Sequence, residues 1–204
     1  MNNIQFITHE NQRFGYVEGA EMALRGGCKW VQLRMKDATD NEFLSVGRKV
    51  STLCRNYNAI FLLDDRVHLV AELGADGVHL GKNDMPISEA RCMLGSEKII
   101  GGTANTFTDV QRLAAEGANY IGCGPFRYTK TKCNLAPILG LEGYRDILEQ
   151  MKKTNICLPL IAIGGIVSTD IAALITIGVS GIAVSGAILE AVNPINEMTK
   201  LIEI

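Results

Sequence analysis

Leu73-Gly74-Ala75-Asp76-Gly77-Val78-His79-Leu80 is the stretch that decides the fold, because it joins the end of a helical segment to a short apolar run. A glycine at this place suits the left-handed cap that ends a helix and turns the chain into the next strand. Similar phrases recur along the chain, as Gly26-Gly27-Cys28, Glu116-Gly117-Ala118-Asn119 and Ile177-Gly178-Val179-Ser180. The sequence therefore contains a weak internal repeat, and about eight units in 204 residues give it an average period of roughly 25 residues.

Short apolar runs alternate with helical patterns about eight times, which predicts parallel strands. The predicted strands are Ile4–Thr8, Trp30–Arg34, Ile60–Leu63, Gly77–Leu80, Ile99–Gly102, Tyr120–Gly122, Leu158–Ile163 and Gly181–Ser185. The clearest predicted helices are Gly15–Arg25, Asn41–Tyr57, Pro86–Leu94, Thr108–Glu116, Leu141–Lys152 and Thr169–Ile177. So many units in 204 residues favour an α/β fold with one domain over residues 1–204, a closed (β/α)₈ TIM barrel with lean loops. A doubly wound open sheet is the alternative, but it usually has fewer units.

Composition narrows the function classes. The net charge of −2 gives the whole chain no electrostatic reason to bind nucleic acid or a membrane surface. No apolar run reaches the length of a membrane span, and the N-terminus lacks the pattern of a signal peptide. The six cysteines form no C-x-x-C pair and have no zinc spacing, so we expect a reduced cytoplasmic location.

Two cations lie at the end of the second predicted strand, in Gln32-Leu33-Arg34-Met35-Lys36. Alternation along a strand points Gln32, Arg34 and Lys36 to the same side. Two cations on one face are costly unless an anion lies opposite, and the planar fork of arginine suits two phosphate oxygens. The pattern favours a diphosphate site over a strand end that frays into solvent.

Carboxylates follow the next two predicted strands, as Asp64-Asp65 and Asp84. Active sites of barrels are built at the carboxyl ends of the strands, and these strands are neighbours in barrel order. Mg²⁺ prefers hard oxygen ligands and often takes only one or two of them from the protein. Asp65 and Asp84 fit that role, although Asp65 also suits a pair with Arg66 and Asp84 also suits a helix cap near Pro86.

A second phosphate site is predicted at Gly164-Gly165-Ile166 and Ala183-Val184-Ser185-Gly186, after the seventh and eighth strands. Barrels commonly bind phosphate there, because backbone amides at a helix start can approach the anion closely. Two tight turns are the simpler alternative.

The long connection from Pro125 to Leu139 has no helix or strand periodicity, which is typical of a lid or binding loop. His79, a lone histidine at a strand end, fits an orienting role better than that of a base.

Five motifs together resemble the thiamine-phosphate synthase family. They are Gln32-Leu33-Arg34-Met35-Lys36, Asp64-Asp65-Arg66-Val67, the run from Gly74 to Gly81 with Asp84-Met85-Pro86, Gly124-Pro125 leading to Thr129-Lys130-Thr131-Lys132, and Ala162-Ile163-Gly164-Gly165-Ile166. The similarity runs from about Gln5 to Ile188. The resemblance implies a (β/α)₈ transferase that joins 4-amino-2-methyl-5-pyrimidinylmethyl diphosphate to a thiazole phosphate, plain or carboxylated, and releases diphosphate.

The resemblance also implies a role for each matching position. The pyrimidine diphosphate would be held by Gln32, Leu33, Arg34, Met35, Lys36, Asp64, Thr103 and Lys132, with Arg34, Lys36 and Lys132 catalytic. The thiazole phosphate would be held by Thr129, Lys130, Thr131, Gly165, Ser185 and Gly186, and Mg²⁺ by Asp65 and Asp84. Asp64 stands where the family usually has asparagine, Arg127-Tyr128 where a proline usually precedes the first threonine, and Ser185-Gly186 where valine-serine is common.

Two other functions remain open at this point. A thiazole tautomerase is a related barrel, but it typically lacks the Gln-x-Arg-x-Lys and Thr-x-Thr-Lys sets present here. A non-catalytic sensor of thiamine precursors would keep phosphate sites while losing metal ligands, and Asp65 and Asp84 argue against it. The expected partners are small-molecule substrates, and the sequence leaves open whether the chain forms a homo-oligomer.

Overall fold

The protein forms a closed barrel of eight parallel strands in a computed structural model that describes residues 3–128 and 136–204. The strands pair in chain order, and β1 closes the barrel against β8. Their bounds are β1 Asn3–Ile7, β2 Trp30–Leu33, β3 Ile60–Asp64, β4 Gly77–Leu80, β5 Ile99–Ala104, β6 Tyr120–Cys123, β7 Leu160–Ile163 and β8 Gly181–Val184. The predicted TIM barrel is confirmed.

Helices follow the strands and cover the outside of the barrel. Their bounds are α1 Tyr16–Arg25, α2 Asp40–Asn56, α3 Val70–Leu73, α4 Ile87–Leu94, α5 Phe107–Ala115, α6 Gly140–Lys153, α7 Ser168–Thr176, α8 Gly186–Leu189 and α9 Pro194–Glu203. The six predicted helices are present with shifted ends. For example, α5 starts at Phe107 and not at Thr108, because the Thr106 side chain accepts a hydrogen bond from the Asp109 amide and caps the helix. The short helices α3 and α8 and the last helix α9 were not among those predicted.

The repeated glycine phrase has the conformation that the sequence suggests. Gly74, Gly117 and Gly178 have φ values of 58°, 86° and 103°. Each of them follows a helix and precedes a strand, at β4, β6 and β8. The left-handed region is cheap only for glycine, so these positions explain why the repeat is visible in the sequence.

The core has two layers. The larger one lies between the strands and the helices, and the smaller one fills the barrel with Ile7, Leu62, Tyr120, Ile161 and Ala183. The parallel register places each of them beside a residue of the next strand, as Ile7 beside Gln32 and Ile161 beside Gly181. The barrel is therefore packed, and ligands have access at its ends.

Two boundaries bear on the site. Strand β5 extends to Ala104, so Thr103 lies inside the strand and not after it. In the long connection, the described parts 125–128 and 136–139 contain neither helix nor strand, and the rest lies outside the described residues.

None of the helices described is long and apolar enough to cross a membrane. Among the cysteines described, Cys28, Cys54, Cys92, Cys123 and Cys157 are free thiols.

Candidate active site at the carboxyl end of the barrel

Three carboxylates converge on one ammonium group at the carboxyl ends of β2, β3 and β4. The Lys36 Nζ lies 2.9 Å from Asp64 Oδ2, 2.5 Å from Asp65 Oδ2 and 3.6 Å from Asp84 Oδ2. Burial alone lowers the pKa of Lys36, but the charges and hydrogen bonds of Asp64 and Asp65 outweigh it and raise that pKa well above its usual range. Lys36 is therefore a fixed positive charge in this cluster.

Arg34 and Gln32, at the end of β2, both contact the carboxylate of Asp64. The Gln32 Nε2 donates to Asp64 Oδ1 at 2.7 Å, and the Arg34 Nε lies 3.9 Å from Asp64 Oδ2. The backbone amide of Arg34 donates to the hydroxyl of Thr8, a buried residue next to the end of β1. Gln32, Arg34 and Lys36 thus share one face, as the spacing predicts, and Asp64 is their common neighbour.

Asp65 is held in an unusual backbone conformation. Its φ is +59°, which is rare outside glycine and is found most often for Asn and Asp. Its amide donates to the His79 carbonyl at 3.0 Å, and Arg66 Nη1 pairs with Asp65 Oδ1. Lys36 contacts the other oxygen, Oδ2, so both pairs form at once and fix the carboxylate. Arg66 is itself held by a hydrogen bond to the Ala38 carbonyl. Strained positions of this kind cluster at functional sites.

Asp84 does not cap the following helix. Its Oδ2 accepts a hydrogen bond from the Gly81 amide at 2.6 Å, and α4 has Pro86 at its N-cap without a side-chain cap bond. The carboxylate therefore closes the turn after β4 and stays 3.6 Å from Lys36 Nζ. Of the two readings that the sequence left open, the helix cap is excluded.

These oxygens suit a hard divalent cation. The place where they converge already holds a positive charge, and carboxylate oxygen is the ligand type that Mg²⁺ prefers. Within the described residues, no group of three or more His, Cys, Asp or Glu side chains is placed to hold a metal ion by itself. The arrangement fits a cation that takes one or two protein ligands and completes its shell with water and substrate oxygens.

Leu33 and Met35 differ from the residues that alternate with them. Their side chains are buried in the layer between the strands and the helices, with 0% and 8% exposure. Alternation along the strand explains this, because the two residues point away from Gln32, Arg34 and Lys36. Any ligand contact of Leu33 or Met35 would therefore go through the main chain.

Thr103 is connected to a polar network inside the barrel. The His79 Nε2 lies 2.9 Å from Thr103 Oγ1, and His79 Nδ1 lies 2.9 Å from the Tyr120 hydroxyl. Gln5 Nε2 donates to the same hydroxyl at 3.2 Å. His79 thus orients other groups, as the sequence favours, and the partners that it links are Tyr120 and Thr103.

The glycine pair after β7 is packed against the segment that follows β6. Gly164 and Gly165 have φ values of +101° and +69°. A side-chain carbon at Gly165 would lie 2.8 Å from the Tyr128 carbonyl oxygen and 2.5 Å from Arg127 Cγ. Arg127 donates to the Gly165 carbonyl at 3.0 Å and pairs with both oxygens of Asp170, at 2.8 and 2.7 Å. Arg127 therefore fixes the turn that would approach an anion.

Ser185 and Gly186 join β8 to α8. The Ser185 hydroxyl donates to the Ile7 carbonyl at 2.5 Å and lies 2.7 Å from His9 Nδ1. Because its hydrogen is used within the protein, Ser185 offers an anion its backbone and not its hydroxyl. Helix α8 begins at Gly186, and the amides of a first helical turn have no partner within the helix.

Four predicted site residues, Thr129, Lys130, Thr131 and Lys132, lie outside the described residues. Other members of the site were missed by sequence reasoning, namely His9, Thr8, Tyr120 and Gln5. Of these, only Thr8 has a local signal, since it ends a predicted strand as a polar residue. The others are identified by partners far away in the chain.

The comparisons with known proteins give matches over nearly the whole chain. The family model described as thiamine monophosphate synthase matches residues 4–188. A thiamine-phosphate synthase of Bacteroides fragilis is 55% identical over 204 residues, with both chains fully covered, and one of Bacteroides thetaiotaomicron is 56% identical over 202 residues, covering 99% of this chain and 97% of its own. The solved structure of a thiamine phosphate pyrophosphorylase from Pyrococcus furiosus superimposes with a TM-score of 0.87 at 33% identity, covering 98% of this chain and 94% of its own.

Proposed function

Because this chain belongs to the thiamine monophosphate synthase family and is a transferase, we propose that its site joins a pyrimidinylmethyl diphosphate to a thiazole phosphate. The observation that carries the proposal is the convergence of Arg34 and Lys36 with three carboxylates at one end of the barrel. Such a set is suited to a polyanion that arrives together with a divalent cation. Full-length relatives named thiamine-phosphate synthase do not favour the thiazole tautomerase alternative.

The pyrimidine diphosphate binds beside β2 and β3 in this proposal. Arg34 and Lys36 donate to its phosphate oxygens, together with the Thr103 hydroxyl and Lys132. The carbonyl oxygen of the Gln32 side chain is buried without a hydrogen-bond partner among the described residues. A buried acceptor of this kind suits the amino group of the pyrimidine ring, since leaving it unpaired costs free energy.

Asp65 and Asp84 would hold Mg²⁺. When bound, the cation supplies Lewis-acid stabilisation of the negative charge on the leaving diphosphate. Besides binding phosphate oxygens, Lys36 neutralises the carboxylates of Asp65 and Asp84 and keeps them close together. Asp64 is a further carboxylate beside these two, and it holds Gln32 and Lys36 in place.

The reaction breaks the carbon–oxygen bond between the pyrimidine methylene and the diphosphate. The electron pair of that bond leaves with the diphosphate, and Arg34 and Lys36 stabilise the charge as fixed donors, with Lys132 proposed as a third cation. The aminopyrimidine stabilises the methylene cation that remains. The lone pair of the thiazole nitrogen then forms the new carbon–nitrogen bond, so no side chain has to act as a nucleophile.

The thiazole phosphate binds at the other side of the mouth in this proposal. Gly165 and the amides at Ser185 and Gly186 approach its phosphate, with Thr129, Lys130 and Thr131 from the segment after β6. The positive φ of Gly165 and its close contact with Tyr128 support this assignment, because a side chain there would displace the segment that holds the turn in place to meet the anion. We further propose that residues 1–204 act as one catalytic domain in the cytoplasm.

The proposal is tested by mixing the protein with both substrates and Mg²⁺ and assaying for thiamine phosphate. We expect product that depends on both substrates and on the metal, whereas a tautomerase or a sensor would form none. Arg34→Ala should lose most of its turnover with its far-ultraviolet circular dichroism unchanged. Arg48→Ala is a matched control, because its pair with Glu72 lies on the exposed surface of α2 and α3. Turnover of Arg34→Ala near that of the control would contradict the proposal.

A further inference from the structure

The inside of the barrel contains a chain of polar side chains that ends at the proposed diphosphate site. Gln5, Tyr120 and His79 are 2%, 3% and 9% exposed, among apolar residues such as Leu62 and Ile161. Burying such groups is costly unless each is paired, and a paired network of this kind fixes the orientation of its members. The network therefore points to a use beyond stability.

The hydrogen bonds of this chain run in one direction. Gln5 Nε2 can only donate, so the Tyr120 hydroxyl accepts from it at 3.2 Å. The Tyr120 hydroxyl then has one hydrogen left to donate, and His79 Nδ1 lies 2.9 Å away, so a neutral His79 with its hydrogen on Nε2 completes the chain. This makes Nε2 the protonated nitrogen of His79, and it donates to Thr103 Oγ1 at 2.9 Å. The hydroxyl hydrogen of Thr103 remains for an acceptor at the mouth.

The surrounding backbone is shaped to admit these rings. A side-chain carbon at Gly101 would lie 2.1 Å from the Tyr120 ring, and one at Gly122 would lie 2.8 Å from His79 Cε1. Trp30 packs edge-on against Tyr120 with ring centroids 4.8 Å apart. Burial raises the pKa of Tyr120 far above its usual range, so its hydroxyl remains a donor. Glycines on two strands thus leave the space that the network occupies.

We propose that Tyr120 and His79 are positioning residues, which fix the Thr103 hydroxyl as a hydrogen-bond donor to the diphosphate that leaves during the reaction. The inference rests on the proposed function, which brings the diphosphate to Thr103. Tyr120 and His79 do not touch the substrate in this arrangement. They act through Thr103, because a hydroxyl that accepts from His79 has its own hydrogen directed elsewhere.

The tautomer of His79 is the first test, and it does not depend on activity. Long-range ¹H–¹⁵N correlation spectra of the labelled protein without ligands report which ring nitrogen carries the hydrogen. The chain has three histidines, so His79→Asn assigns the signal. We expect His79 to be protonated on Nε2 alone in the wild type. Protonation on Nδ1 would reverse the direction of the chain, make Thr103 a donor to His79, and overturn the proposal.

The second test removes one oxygen atom with Tyr120→Phe. We expect the His79 signal to lose its single tautomer and kcat to fall about tenfold, the effect of one hydrogen bond in the transition state, with the KM for the thiazole phosphate unchanged. Tyr144→Phe is the matched control, since Tyr144 is equally buried and donates to the Cys123 carbonyl outside the network. The control should keep the His79 tautomer and the kcat.

The outcomes separate the inference from the function on which it rests. A wild type that forms no thiamine phosphate would contradict the proposed function, while the tautomer measurement would still decide the direction of the chain. An active wild type with unchanged kcat in Tyr120→Phe would overturn the positioning role. If Tyr120→Phe fails to fold, His79→Gln replaces it, and a kcat within twofold of the wild type would overturn the proposal.

Discussion

Neutralising Asp64 is the sharpest test of how the site balances its charges. Asp64 is 7% exposed, and its two oxygens contact Gln32 Nε2 at 2.7 Å and Lys36 Nζ at 2.9 Å. Asp64→Asn keeps the shape of the side chain and an oxygen that accepts from Gln32, but it removes the negative charge.

We expect the KM for the pyrimidine diphosphate to fall about tenfold. A phosphate oxygen that accepts from Lys36 on the side away from Asp64 lies roughly 6 Å from the carboxylate, and at an effective dielectric of roughly 40 two unit charges then repel by about 1.4 kcal/mol. That free energy corresponds to about a factor of ten in binding. Loss of the charge also leaves Lys36 less neutralised, which acts in the same direction.

The stability of the fold should change little. Lys36 retains Asp65 at 2.5 Å and Asp84 at 3.6 Å, so it remains paired. The new amide has one oxygen for the two donors that contact Asp64, so we expect the free energy of unfolding to fall by about 1 kcal/mol, the cost of one hydrogen bond. Urea unfolding measures this, and steady-state kinetics at saturating thiazole phosphate and Mg²⁺ measure KM.

Asp76→Asn is the matched control, because it removes the same charge at the opposite end of β4. It should leave KM unchanged. An Asp64→Asn enzyme whose KM rises would refute the reasoning, because Asp64 would then help to bind the substrate or its metal.

Three further predictions concern other groups. Asp65→Asn should raise the Mg²⁺ concentration for half-maximal rate at least tenfold, and an unchanged titration would contradict the ligand role. Gly165→Ala should raise the KM for the thiazole phosphate more than tenfold, whereas Gly117→Ala, which has a positive φ but open space, should only lower stability. Burial alone raises the pKa of Asp109, but its pair with Lys82 and its bonds to residues 105 and 106 lower it. Asp109→Asn should therefore lower the free energy of unfolding by about 1 kcal/mol at neutral pH, and this loss should fade below about pH 4, where the carboxylate is protonated. Urea unfolding at several pH values measures the difference, and a difference that does not depend on pH would contradict the prediction.

Much of the fold was predictable because its signals are local. The glycine after a helix, the short apolar run and the polar residue at the strand end recur within a few residues of one another, as at Gly74, Val78 and His79. Helix α9 was not predicted although it carries a local signal, with Asn193 as a cap and Pro194 in the first turn. Helices α3 and α8 have four residues each, which is too short for a periodic pattern.

The site was predictable to the extent that barrel topology brings strand ends together. Arg34, Lys36, Asp65 and Asp84 converge because β2, β3 and β4 are parallel neighbours, which the alternation of strands and helices already implies. The topology does not predict which specific atoms pair with one another. That Lys36 contacts three carboxylates, or that Arg66 shares Asp65 with it, depends on turns whose dihedral angles, such as the positive φ of Asp65, have no sequence pattern of their own.

The interior network shows most clearly why the rest could not be predicted. Gln5 and Tyr120 are 115 residues apart, and Tyr120 and His79 are 41 residues apart, so no window of sequence contains a pair. Their contact follows from register, since His79 and Gly101 are partners across β4 and β5 and Gly101 is the partner of Tyr120 across β5 and β6. The glycine between the two rings is the link, because any side chain there would occupy the space of the Tyr120 ring. Gly101 thus leaves the space for a large neighbour on the same layer, and that neighbour connects the packed interior to the chemistry at the mouth.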